Sequence, residues 1–77
     1  MHIKVYTKSY CSYCHAAKNL LRKRSLEFEE IPVSGNSGAE QKMRELSGRM
    51  TVPQIFINDK PIGGYTELVE LDMDGKL

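Results

Sequence analysis

The chain holds two cysteines, Cys11 and Cys14, inside the run Tyr10-Cys11-Ser12-Tyr13-Cys14-His15. Two thiols with two residues between them can cycle between dithiol and disulfide, supply half of a metal site, or sit in a core as small apolar side chains. A structural zinc site takes about four Cys or His ligands. The candidates are Cys11, Cys14, His2 and His15. His15 directly follows Cys14, so on a helix it points roughly 100° away from it. A disulfide scaffold of this length normally carries about four or more cysteines. The elements around the pair therefore decide among redox, metal and inert readings.

Those elements can be read from periodicity. His2 to Thr7 alternates Ile3 and Val5 with polar neighbours and reads as a strand, followed by a loop from Lys8 to Tyr10. From Ser12 to about Arg24 the spacing of Cys14, Ala17 and Leu21, with Leu20 beside them, predicts a helix. Lys18, Arg22 and Lys23 lie elsewhere on that helix as a solvated face, and basic residues in its last turn suit the dipole. Cys11 then stands at the helix N-terminus, beside backbone N–H groups that have no intrahelical partner. The dipole favours a thiolate there by up to about 2 kcal/mol. Cys14 lies one turn further in and on the same side. In the redox reading Cys11 can then be the exposed nucleophile and Cys14 the shielded resolving thiol.

Leu26 to Val33 reads as a second strand whose faces cannot be assigned, and Ser34 to Gly38 as a loop. Ser37 and Glu40 fit a capping box that opens a helix to about Ser47, with Ala39, Met43 and Leu46 facing inward and Gly48 as the stop. Gln54 to Ile57 is a short apolar run suited to a central strand. Asn58-Asp59 is a hairpin-like turn, and Pro61 marks the brief strand after it as an edge. A last helix starts near Thr66 and fades at Asp74-Gly75. The order β-α-β-α-β-β-α predicts an α/β domain over residues 1–77. The first two strands should be parallel and the last two antiparallel, in a four-stranded mixed sheet flanked by helices.

Seventy-seven residues carry 11 Lys and Arg against 10 Asp and Glu, a net charge of +1. That balance excludes a nucleic-acid binder working through a broad basic field. No run approaches the roughly 18 apolar residues of a membrane span. The N-terminus enters a strand pattern directly, without the apolar region of a signal peptide. The chain reads as cytoplasmic, or as a mature form whose targeting segment has been removed. In the cytosol, disulfides tend to be transient and catalytic.

With these elements placed, the chain resembles the glutaredoxin family over nearly its whole length. The resemblance rests on VYTKSYCSYCHAAKNLL, SGRMTVPQIFI and PIGGYTEL, in order and at matching separations. It implies a minimal thioredoxin-like fold and a glutathione-dependent oxidoreductase acting on protein disulfides and protein–glutathione mixed disulfides through Cys11 and Cys14. It further implies that Lys8 sits near the nucleophile and the glycine carboxylate of glutathione, and that Tyr13 lines the groove. Thr51-Val52-Pro53 matches the family's TVP segment. There Val52 would offer its backbone N–H and C=O to the cysteine of glutathione, and Pro53 would be cis. Arg49 is a candidate partner for a carboxylate. Gly63-Gly64 would let the backbone approach the ligand. Tyr65 and Thr66 would bind the γ-glutamyl end at the start of the last helix, with Thr66 capping it. Implied partners are glutathione and glutathionylated or disulfide-containing proteins, with no nucleic acid and no membrane. No catalytic role falls to His15.

Two departures from the common pattern open further readings. Tyr65-Thr66 stands where many members have Cys or Ser followed by Asp. Thr66 offers no anion to the γ-glutamyl ammonium, and Glu67 substitutes only if its side chain turns back. Ser12 stands where many members have Pro. Some members with Ser there hold a glutathione-ligated [2Fe–2S] cluster between two protomers through the first cysteine of each, here Cys11. A cluster carrier or sensor is therefore the rival reading, with a monomer expected when no cluster is bound. A thioredoxin-like donor fed by a flavoprotein reductase is the third. Lys8, the TVP segment and the paired glycines favour glutathione.

Overall fold

A computed structural model describes residues 1–77. The apolar alternation of the first strand sends Ile3 and Val5 to one face of a sheet and Tyr6 to the other. The strands are β1 (Ile3–Thr7), β2 (Glu29–Pro32), β3 (Gln54–Ile57) and β4 (Lys60–Gly63). The helices are α1 (Ser12–Lys23), α2 (Ser37–Ser47) and α3 (Tyr65–Met73). The sheet runs β2-β1-β3-β4. β1 is parallel to β2, with Lys4 opposite Glu29, and antiparallel to β3, with Ile3 opposite Ile57. β3 and β4 form a hairpin through Asn58 and Asp59, whose φ values of 50° and 67° match the turn that follows strand twist. Pro61 lies on β4, at the sheet edge, where its missing N–H costs no ladder bond.

One core lies between the sheet and α1 and α3, built from Ile3, Val5, Ala17, Leu21, Ile55 and Leu68. The other lies under α2, built from Tyr6, Val33, Met43 and Phe56. Tyr6 and Phe56 meet edge to face at 5.5 Å. The architecture is the β-α-β-α-β-β-α arrangement that the order of elements predicts, and it is the thioredoxin-like fold that the resemblance implied.

Five details differ from the sequence reading. β2 is shorter than Leu26–Val33, because Ser25 turns the chain at φ 59° and the Leu26 N–H bonds back to Leu21 O at 2.9 Å. Pairing with β1 therefore starts only at Glu29, and Leu26 and Phe28 pack their side chains against the core from a loop. Asn36, not Ser37, caps α2, its Oδ1 accepting from the Ala39 N–H at 3.1 Å. Leu46 is 52% exposed, because the α2 stripe passes beyond its core after Met43. Lys18 is not solvated: its side chain is 13% exposed and its Nζ lies 3.0 Å from Glu30. Glu30 also accepts from Thr7 Oγ1 at 2.8 Å, so the three residues join α1 to both parallel strands. Finally, α3 starts at Tyr65 with Gly64 as its cap, so Thr66 is the second helical residue and caps nothing.

Candidate active site

β1 ends at Thr7, and the loop delivers Cys11 as the N-cap of α1 in extended backbone. Its Sγ accepts from the Cys14 N–H at 3.2 Å and faces the Val52 carbonyl oxygen at 3.7 Å. A sulfur at an N-cap does what a Ser or Asp oxygen does there: it satisfies one of the open N–H donors of the helix. Both cysteines are free thiols, Cys11 partly exposed and Cys14 buried. Burial pushes the Cys14 thiol up to about 12, with Cys11 adding to the rise, while the Lys8 backbone N–H and the Lys18 ammonium pull the other way. The pair is thus asymmetric: one accessible sulfur, and one shielded sulfur held as the thiol. No three His, Cys, Asp or Glu side chains converge on a point that could hold a metal ion.

Beside Cys11 runs a cleft of about 260 Å³, lined by Tyr13, Arg49, Thr51, Val52, Pro53, Gln54, Gly64, Tyr65, Thr66 and Glu67. Its floor is the Thr51–Gln54 segment, with the Val52–Pro53 peptide bond cis as the resemblance implied. Its far wall is the start of α3, and a Cβ on Gly64 would lie 3.2 Å from the Pro53 carbonyl oxygen. That approach of backbone to backbone is what Gly64 permits. The rings of Tyr13 from α1 and Tyr65 from α3, both in the cleft lining, lie 5.8 Å apart.

The cleft therefore gathers Tyr13, Arg49, Thr51, Val52, Pro53, Gly64, Tyr65 and Thr66 from three separate stretches of sequence. It does not gather Lys8, whose ammonium lies 3.8 Å from Glu40 on α2. It also contains Gln54, which the sequence reading did not place there, and Glu67, which it placed there only on condition that the side chain turns back. Gln54 is 1% exposed and donates to Thr51 Oγ1 at 3.2 Å, which fixes the TVP segment to the head of β3. Its signal was a polar residue opening an otherwise apolar strand. Glu67 does turn back: Oε1 accepts from the Gly64 N–H at 2.6 Å and from Arg49 at 3.1 Å. Those two contacts, the Gly64 N–H first, hold its carboxyl below the usual range.

A family model for glutaredoxins matches residues 3–62. The chain is 46% identical to Glutaredoxin 3 of Escherichia coli strain K12 over 76 residues, covering 99% of this chain and 92% of that one. The chain belongs to the glutaredoxin family. As a glutaredoxin it is a thiol–disulfide oxidoreductase, and Cys11 and Cys14 are its redox-active pair. Solved structures agree in fold. The buckwheat glutaredoxin–glutathione complex is 32% identical with a TM-score of 0.87, covering 97% of this chain and 71% of that one. Glutaredoxin from Brucella melitensis is 41% identical with a TM-score of 0.84, covering 99% of this chain and 83% of that one. No helix is long and apolar enough to cross a membrane.

Proposed function

We propose that this glutaredoxin uses glutathione as its thiol and removes glutathione from protein mixed disulfides. The observation that carries the reading is the cleft itself. Cys11 Sγ lies 3.7 Å from the Val52 carbonyl, at one end of a groove whose other end is the N-terminus of α3. A tripeptide thiol laid along it can pair its cysteine backbone with Val52 as a strand pairs with an edge. Its γ-glutamyl carboxylate would reach the open N–H groups of α3. The similarity to a glutaredoxin solved with glutathione supports the same placement. A dithiol donor fed by a reductase needs the two sulfurs but not this groove.

In the first step the Cys11 thiolate attacks the glutathione sulfur of the mixed disulfide. The old S–S bond breaks, the protein leaves as a thiolate and takes a proton from solvent, and glutathione stays on Cys11. A second glutathione thiolate then attacks that glutathione sulfur, releasing glutathione disulfide and the Cys11 thiolate. On a protein disulfide, Cys11 first opens the bridge into a mixed disulfide; Cys14 then loses its proton and attacks Cys11 Sγ, the protein sulfur leaves as a thiolate, and two glutathione molecules reduce the Cys11–Cys14 bridge and depart as glutathione disulfide. Loading Cys14→Ser with glutathione on Cys11 tests the placement. Amide shifts should concentrate at Val52, Gly64, Tyr65 and Thr66; shifts confined to residues beside Cys11 would sink it.

A further inference from the structure

Lys18 is the most buried cation among the chain's ion pairs, and the steps described above do not use it. Its ammonium lies 3.0 Å from Glu30 Oε2, and the same oxygen accepts from Thr7 Oγ1 at 2.8 Å. Glu30 stands opposite Val5 in the β1–β2 ladder, and Thr7 follows Val5 by two residues. Both side chains therefore fall on the face of the sheet that α1 covers. On α1, Lys18 follows Cys14 by four residues, which puts their Cβ atoms about 5–6 Å apart. Helical side chains lean toward the N-terminus, so the Lys18 stem runs back over the turn that carries Cys14. Cys14 and Thr7 are both buried, and Thr7 ends β1 just before the loop to Cys11. The resolving sulfur thus has a fixed ammonium within one helical turn, in a setting that water barely reaches. Of the two charges in the cluster it is Lys18, not Glu30, that acts on the Cys14 sulfur, and it favours the anion.

We propose that Lys18 is the charge partner of the resolving cysteine, stabilising the negative charge on Cys14 Sγ as it attacks Cys11, while Glu30 and Thr7 hold the ammonium in place and damp its field. In that step Cys14 has given its proton to solvent. Its sulfur bonds to Cys11 Sγ, the bond from Cys11 Sγ to the attached thiol breaks, and that thiol leaves with the electron pair as a thiolate. A cation beside Cys14 raises the share of sulfur that can attack. The gain is partial, because a stabilised thiolate is also a weaker nucleophile. This role belongs to bridge closure and does not depend on which thiol occupies Cys11, so it stands apart from the glutathione reading.

The test loads Cys11 with a chromophoric aromatic thiol and times its release by Cys14 at one pH near neutrality, in wild type, Lys18→Gln, Lys18→Arg and Glu30→Gln. The Cys14→Ser form of each, discharged by an added thiol, reports what the changes do at Cys11 itself, and the ratio of the two rates is the readout. The ratio should fall about three- to fivefold in Lys18→Gln, which keeps a polar side chain but no charge, and stay within about twofold in Lys18→Arg. In Glu30→Gln it should rise about two- to threefold, because no carboxylate then offsets the ammonium. Opposite signs separate the two roles: a cluster that only clamps α1 to the sheet would lose rate whichever partner is removed. Circular dichroism checks that each variant is folded, and Lys18→Met takes the place of Lys18→Gln if that variant does not fold. Equal falls in Lys18→Gln and Glu30→Gln, an unchanged ratio in Lys18→Gln, or a loss in Lys18→Arg as large as in Lys18→Gln would each overturn the role of Lys18.

Discussion

Raising the pH should accelerate closure of the Cys11–Cys14 bridge steeply and without levelling near neutrality. Cys14 attacks as the thiolate, and burial with the neighbouring Cys11 pushes its thiol up to about 12. In the free dithiol at pH 7 about one molecule in 10⁵ would carry that thiolate. A mixed disulfide on Cys11 removes that neighbour's contribution, but burial is the largest cause and remains. The rate should therefore climb about tenfold per pH unit, or about a hundredfold from pH 6 to pH 8. The assay loads Cys11 with a chromophoric aromatic thiol and follows its release in a stopped-flow instrument. Cys14→Ser supplies the background, since it cannot close the bridge. A plateau below pH 8 would refute the reasoning, because the shielded sulfur would then ionise like an ordinary thiol despite its burial.

Gly63 has φ of 109°, and a Cβ there would run into the Glu67 side chain. Gly63→Ala should lower stability by about 1–3 kcal/mol in chemical denaturation, and an unchanged midpoint would contradict the strain argument. The carboxyls of Glu30, Glu67 and Asp72 are all held low, by Thr7 and Lys18, by the Gly64 N–H and Arg49, and by Arg24 respectively. Groups lowered in the folded state stabilise it above their ordinary range, so that stability should drain as pH falls below about 4.5. Urea midpoints from pH 6 downward should show this, with a shallower fall in Glu30→Gln. Glu67, the anion in the first turn of α3, is taken up by the Gly64 N–H and Arg49, so Thr66→Asp adds one free to meet a γ-glutamyl ammonium and should raise glutathione turnover about two- to fivefold; no gain would disprove the need for a second anion there. Arg49→Met breaks an exposed pair with Glu67 and should lower kcat/KM on a glutathionylated peptide by no more than about fivefold. A loss nearer a hundredfold would mean that Arg49 acts in a far drier setting.

Much of this was legible in local pattern. Cys14, Ala17 and Leu21 recur at helical spacing, Gly48 stops α2 at φ 73°, and Asn58-Asp59 makes a turn that only two positive φ values allow. Each signal is complete within a few residues. The misreadings other than the α2 cap have the opposite character. Leu26 and Phe28 are apolar enough for a strand, yet whether they pair depends on where Ser25 releases the chain from α1. Lys18 looked solvated because its partner Glu30 is brought beside it only by the parallel crossover. Arg49 and Glu67 lie 18 residues apart and meet only because β3 and β4 fold back. Asn36 competed with Ser37 for one cap, and either residue type can fill it.

The same long-range contacts explain how the site divides its work. The sulfur chemistry lies where the fold is most determined: Cys11 on the first N–H groups of α1, Cys14 in the core, and Val52 held beside a buried Gln54. The cation in the cleft lining, Arg49, is already matched within the chain by Glu67, and Lys8, outside the cleft, by Glu40. An incoming carboxylate therefore exchanges one screened ion pair for another, and such pairs are worth about 0–1 kcal/mol each. Little net affinity can come from that exchange. What distinguishes a productive ligand is then the fit of its backbone to Val52 and the position of its sulfur at Cys11. On the glutathione reading proposed above, such a groove would hold the glutathionyl group long enough to react and let it leave readily within the new disulfide.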